Sequence, residues 1–133
     1  MVSESEGTLF SFRRLRVYQE AKAYALSSYI ILRKFPDDEK FAMCNQIRRA
    51  ASSIPFNIAE GMGKYSCKDQ IRYIEIAFGS LNETLSQFDL AHDLTYITDE
   101  EFSDIETRYR ILASLLSGLR RSISEKLSDE TDS

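Results

Sequence analysis

Ser66 to His92 reads SCKDQIRYIEIAFGSLNETLSQFDLAH. Ile71, Ile74, Phe78, Leu81, Leu85, Phe88 and His92 recur in it at intervals of three and four, which lays one apolar stripe along an α-helix. Ser66, followed three residues later by Asp69, gives that helix a capping-box start. A helix with one greasy face needs partners, and the flanking sequence supplies three.

On the N-terminal side, Glu60-Gly61-Met62-Gly63 reads as a helix end and connection in which glycine takes left-handed conformations at little steric cost. The helix it ends begins near Asp37 and Asp38, which offer a cap and favourable negative charge, and carries Cys44, Ile47, Ala51, Ile54 and Ile58 on one face. Pro55 lies inside it, lacks an N–H and crowds the carbonyl of Ala51, which predicts a kink near Ser52 to Pro55. Upstream, a first helix spans roughly Phe12 to Phe35, with Leu15, Tyr18, Ala21, Ala25, Tyr29 and Leu32 in one row, and Pro36 ends it. On the C-terminal side, Thr98 and Glu101 form a reciprocal capping box with Ile97 and Phe102 as its staple. Phe102, Ile105, Tyr109, Leu112, Leu116, Leu119 and Ile123 then keep the rhythm. Four amphipathic rods joined by short connections predict an all-α, up-down-up-down antiparallel four-helix bundle over residues 12–127. Residues 1–11 and 128–133 read as acidic tails.

The 133 residues suit one domain, and 43% apolar with 29% charged residues, 5 Gly and 2 Pro describe a globular chain. No apolar run approaches the ~18 residues of a membrane span, and Glu4 and Glu6 stand where a secretory leader carries positive charge, which predicts a cytoplasmic protein without a membrane partner. One histidine (His92) and two cysteines, Cys44 and Cys67, provide no metal-ligand set. Ser80, Ser114 and Ser117 have no base partner nearby. These absences predict neither enzyme activity, nor a metal, nor a cofactor.

The net charge of −4 conceals an uneven layout, because five acids lie in the two tails and residues 10–127 carry a net +1. Antiparallel packing brings the starts of helices 1 and 3 to the ends of helices 2 and 4. On that reading Arg13, Arg14, Arg16, Arg48, Arg49, Lys64, Lys68, Arg72, Arg120, Arg121 and Lys126 share one pole, while Asp37, Asp38, Asp93, Asp99, Glu100 and others gather at the opposite one. Helix dipoles favour acids at helix starts and bases at helix ends. They do not explain Arg13, Arg14 and Arg16 at the start of helix 1. The surplus points to phosphate contacts, with solvated faces or subunit salt bridges as the alternative.

Gln46 to Gly61, QIRRAASSIPFNIAEG, joins a polar cluster to the proline. Asn57 and Glu60 fall on turns from which they can meet Arg49 or the carbonyl opened by Pro55. The run reads either as an internal polar network that fixes register or as an interface patch.

Leu15 to Ala21, Phe35 to Glu39, Gln46 to Gly63 and Ala77 to Glu83 together resemble the four-helix bundle proteins encoded in intervening sequences of bacterial 23S ribosomal RNA genes. The Arg-Arg-Ala, Ser-Ile-Pro and Asn-Ile-Ala-Glu-Gly pieces are the most specific. Tyr18 stands where the family usually has Trp, and Lys64 where it has Arg, which loses the bidentate fork. The resemblance implies a ring-like homopentamer and a distant relationship to accessory proteins of diversity-generating retroelements, which work with a reverse transcriptase and bind nucleic acid. It implies no established molecular activity. It makes Arg48, Arg49 and Lys64 the foremost contact candidates, with Asn57 and Glu60 as organisers around Gln46, Pro55, Gly61 and Gly63. The expectation is a non-enzymatic homo-oligomer that binds RNA or DNA, or alternatively a protein-interaction adaptor.

Overall fold

The computed structural model describes residues 11–132. A 3₁₀ turn at Ser11–Arg14 leads into α1 (Arg16–Leu32), followed by α2 (Met43–Met62), α3 (Cys67–Asp93) and α4 (Asp99–Asp132). No strand occurs among the described residues. The stretch 1–10, read as most of the N-terminal tail, lies outside them.

Each helix packs on the next, and α4 closes back on α1. The cross-helix pairs run in opposite directions. Tyr29 Oη reaches the Arg48 carbonyl and Cys44 Sγ the Leu32 carbonyl between α1 and α2. Ser53 meets Ser80, and Gly61 meets Tyr73, between α2 and α3. Arg120–Glu75, Tyr109–Asn82 and Asp99–His92 join α4 to α3, and Glu101–Lys34 ties the start of α4 to the end of α1. The result is a four-helix bundle with antiparallel neighbours. Its core is built from the stripe residues Ala21, Ile47, Ala51, Ile54, Ile58, Ile74, Leu81, Phe88, Leu112 and Leu116 together with Tyr24, all nearly or wholly buried, whereas Tyr29 of the helix 1 row is 41% exposed.

The helix ends depart from the sequence reading in four places. First, α1 stops at Leu32, and Arg33, Lys34 and Phe35 donate to carbonyls three residues back instead of four. That tightened turn buries Phe35 against Tyr96, with ring centroids 5.4 Å apart, and Pro36 forces the chain out of the helix. Second, Asp37–Glu39 form a 3₁₀ turn, and Ala42, at φ −115° and ψ −100°, redirects the chain before α2 begins at Met43. Third, no described glycine has positive φ: Gly61 lies within α2, Gly63 sits at φ −86°, and the left-handed residue is Thr95. Fourth, α4 continues to Asp132, so residues 128–132, read as tail, are helical. Leu127 extends the Ile123 row onto the core and carries the helix past that point.

The caps follow the sequence closely. Asp69 N–H donates to Ser66 Oγ at 3.1 Å. Glu101 N–H donates to Thr98 Oγ1 at 3.1 Å while Thr98 N–H donates to Glu101 Oε1 at 2.8 Å. α2 remains one helix through Pro55, which is buried.

Candidate nucleic-acid interface

The α2–α3 connection is held by its own backbone. Lys64 N–H donates to Gly61 O, the Gln70 side chain donates to Lys64 O at 3.0 Å, and Ser66 caps α3. α2 and α3 approach closely here because Gly61 has no side chain: a Cβ there would lie 2.9 Å from Tyr73 Cβ. The missing methylene, and not a special φ, explains this glycine.

Several cations surround that connection. Lys64 Nζ lies 3.4 Å from Glu60 and 5.3 Å from the Tyr73 ring centroid, and Arg72 Cζ lies 5.0 Å from the same ring. Lys68 and Arg72 are exposed on the first turns of α3. The 3₁₀ turn carrying Arg13 and Arg14 packs on α1 and α2, and Gln19 Nε2 donates to Arg13 O at 3.2 Å. Arg16 opens α1, and the exposed Arg121 and Lys126 lie in the last third of α4. Arg120 donates from Nε and Nη2 to one oxygen of Glu75, at 3.1 and 2.8 Å. Among the described residues, only Lys64 and Arg120 of this group stand in ion pairs. Arg120 is thus a strap between α3 and α4 whose charge is largely answered. Arg13, Arg16, Lys68, Arg72 and Arg121 have no ion-pair partner among the described residues, with Arg72 over the Tyr73 ring.

Arg48 and Arg49 do not join this end. They stand six and seven residues into α2, so Arg49 lies about 21 Å from Gly63 at ~1.5 Å per residue. Arg48 instead lines a cavity of about 240 Å³ beneath the α1–α2 turn, with Arg33, Phe35, Asp37, Lys40 and Cys44. Burial pushes the Cys44 thiol up in pKa there, partly opposed by Arg48. Arg49 projects outward, its carbonyl accepting from Ser52 Oγ at 3.2 Å.

The Gln46–Gly61 run divides into two faces. Inward, Asn57 Nδ2 donates to Ser53 O and Ser53 Oγ, both at 2.8 Å, and Ser53 Oγ lies 2.9 Å from Ser80 Oγ. This chain of bonds joins α2 to α3 at mid-height, so Asn57 organises Ser53 and not Arg49. Outward lie Gln46, Arg49, Phe56 and Glu60, with Glu60 paired to Lys64. Phe56 is 67% exposed and borders an apolar groove of about 240 Å³ shared with Tyr18, Leu26, Tyr29, Ser52 and Pro55. The apolar rows read from the sequence hold Tyr18, Phe78, Phe88, Phe102 and Tyr109 and leave out Phe56 and Tyr65, which are exposed. Only their place off the helical stripes signals them.

His92 stacks on Phe102, centroids 4.9 Å apart, and its Nε2 lies 2.6 Å from Asp99 Oδ1. Among the described residues, no three His, Cys, Asp or Glu side chains gather as metal ligands, and no helix is long and apolar enough to cross a membrane.

A four-helix bundle with cations at one end and a serine–asparagine bridge between α2 and α3 is thus the class of protein at hand. The family model for the 23S rRNA-intervening sequence protein matches residues 13–118, and the chain belongs to that family. It is also similar to a crystal structure of a protein of unknown function from the S23 ribosomal protein family of Bacteroides thetaiotaomicron VPI-5482. The two share 28% identity and superpose with a TM-score of 0.70, over 78% of this chain and 97% of that one. A search of curated proteins gives no match.

Proposed function

We propose that this chain is a non-enzymatic, self-associating bundle that acts in the cytoplasm and binds RNA or DNA through the end formed by the α1 start, the α2–α3 connection and the late turns of α4. The observation that carries this reading is the set of cations there without ion-pair partners among the described residues, Arg13, Arg16, Lys68, Arg72 and Arg121, in a chain whose net charge is negative. Phosphates answer such charges and release counterions as they do so. The 3₁₀ turn and α1 start place arginines against the helix dipole, an arrangement that capping does not account for. Self-association multiplies a weak single site by repetition, and the family resemblance makes a homopentamer the expected assembly.

Fluorescence polarisation against RNA and DNA at ~50 mM salt tests the reading, and about six phosphate contacts predict a log–log salt slope of roughly −4 to −5. Absence of binding to every nucleic acid at that salt contradicts it. A second reading, a protein-interaction adaptor, is favoured by the outward row Arg49, Phe56 and Glu60 beside the Tyr18–Leu26–Tyr29 groove. An exposed aromatic in an apolar groove suits a protein partner or a second copy of the chain. A stoichiometric protein partner captured after nuclease treatment and lost in Phe56→Ala supports it, and light scattering separates that partner from self-association.

A further inference from the structure

One aromatic ring at the basic end has no protein cover at all. Tyr65 is 105% exposed, in the connection just ahead of α3. Its neighbour Tyr73 is half-buried and has Lys64 and Arg72 within 5.3 Å of its ring centroid. The fold makes no use of the Tyr65 ring, yet the backbone that carries it is fixed on both sides. Lys64 O accepts from Gln70 at 3.0 Å, and Ser66 Oγ accepts from Asp69 N–H at 3.1 Å. A ring on a held support loses little freedom when something covers it. Lys68 and Arg72 follow on the next turns of α3, both exposed and outside any ion pair among the described residues.

We infer that Tyr65 is a stacking platform for an unpaired base, so that the basic end takes single-stranded nucleic acid in preference to a closed duplex. The inference rests on the nucleic-acid reading above and narrows its ligand. Bases inside a duplex are already stacked on both faces and offer nothing to a tyrosine ring. An unpaired base has a free face, and its flanking phosphates can reach Lys68 and Arg72. The acids near Tyr65 are Glu60, engaged by Lys64, Asp69 on the first turn of α3, and Glu130, which accepts from Cys67 Sγ at 3.8 Å.

Polarisation titrations of a labelled 12-nucleotide oligo-dT strand and of a blunt 12-base-pair duplex, at ~50 mM salt, test the inference with the full chain. Tyr65→Ala, Tyr65→Phe and the double variant Lys68→Glu/Arg72→Glu are compared, with circular dichroism to confirm folding. The expected result is tighter binding of the strand than of the duplex, a roughly 5- to 100-fold loss on the strand for Tyr65→Ala, no change on the duplex, and near-full retention by Tyr65→Phe. Equal affinity for strand and duplex, or no loss in Tyr65→Ala, overturns the platform. If Lys68→Glu/Arg72→Glu still weakens binding in that case, the basic-end reading stands without it. Equal losses on strand and duplex, or a Tyr65→Phe variant as weak as Tyr65→Ala, also overturn stacking. Absence of binding by the unaltered protein removes both readings.

Discussion

Tyr24 and Thr84 face each other across the core, 2% and 0% exposed, with Tyr24 Oη 2.8 Å from Thr84 Oγ1. Thr84 has one hydroxyl proton, and its bond to Leu81 O at 2.7 Å takes it. Tyr24 is therefore the donor to Thr84. Tyr24→Phe removes that donor and is expected to lower stability by about 1 kcal/mol in urea unfolding. Burial pushes the Tyr24 pKa up from 10.0 to about 12, while the hydrogen bond with Thr84 opposes the rise. Above pH 10 the unfolded chain sheds this proton first, so its contribution is complete below pH 10 and lost as pH rises towards 12. Unfolding at pH 8 and pH 11 checks this, since Tyr24→Phe is expected to show a smaller alkaline loss than the unaltered chain. Glycines divide by their surroundings. Gly61→Ala drives a Cβ to 2.9 Å from Tyr73 Cβ, neither of which can rotate away, and is expected to destabilise by ~1–3 kcal/mol despite alanine's helix propensity. Gly79→Ala meets nothing within 4 Å and is expected to stabilise by ~0.5–1 kcal/mol. Melting temperatures that move in the same direction for both contradict that division.

α4 shows how much an element's beginning decides. Its Thr98–Glu101 capping box was legible because two short side chains at fixed spacing satisfy local donors whatever the tertiary fold. The sequence could not show that Glu101 also reaches Lys34 just past the end of α1, a contact made only when α4 closes the bundle. The Lys34 hydrogen bond, followed by the bonds to Thr98, holds the Glu101 carboxyl below its ordinary 4.5. Its contribution is present above pH 4.5 and lost as pH falls through the lowered value. Glu101→Gln is expected to be less stable than the unaltered chain at pH 7 and to converge with it in acid, as read by thermal melts from pH 7 to 3. Thr98→Ala is expected to cost about 1 kcal/mol. The α1–α2 turn was less legible. The acids at 37–39 suggest a helix start, but the Phe35–Tyr96 contact and the dihedrals of Ala42 delay α2 to Met43.

At the scale of the molecule, apolar periodicity identified four helices because each stripe must be buried, and the stripes run nearly the full length of the chain. The height of a side chain along the bundle is a separate quantity. It depends on where each helix starts, and so Arg48 and Arg49, part of the family's most specific motif, sit away from the end that holds Lys68 and Arg72. Face, by contrast, follows from spacing alone, and Ile47, Ala51, Ile54 and Ile58 all lie inward as their intervals require. Phosphate binding, as proposed above, belongs to one end of the bundle. Nucleic-acid affinity at ~50 mM salt, measured side by side for Lys68→Glu/Arg72→Glu and Arg48→Glu/Arg49→Glu, tests it most directly. At least a tenfold loss is expected for the first pair, with a salt slope shallower by about 2, and a small, non-specific loss for the second. A second pair that loses as much as the first, with the fold intact, contradicts it.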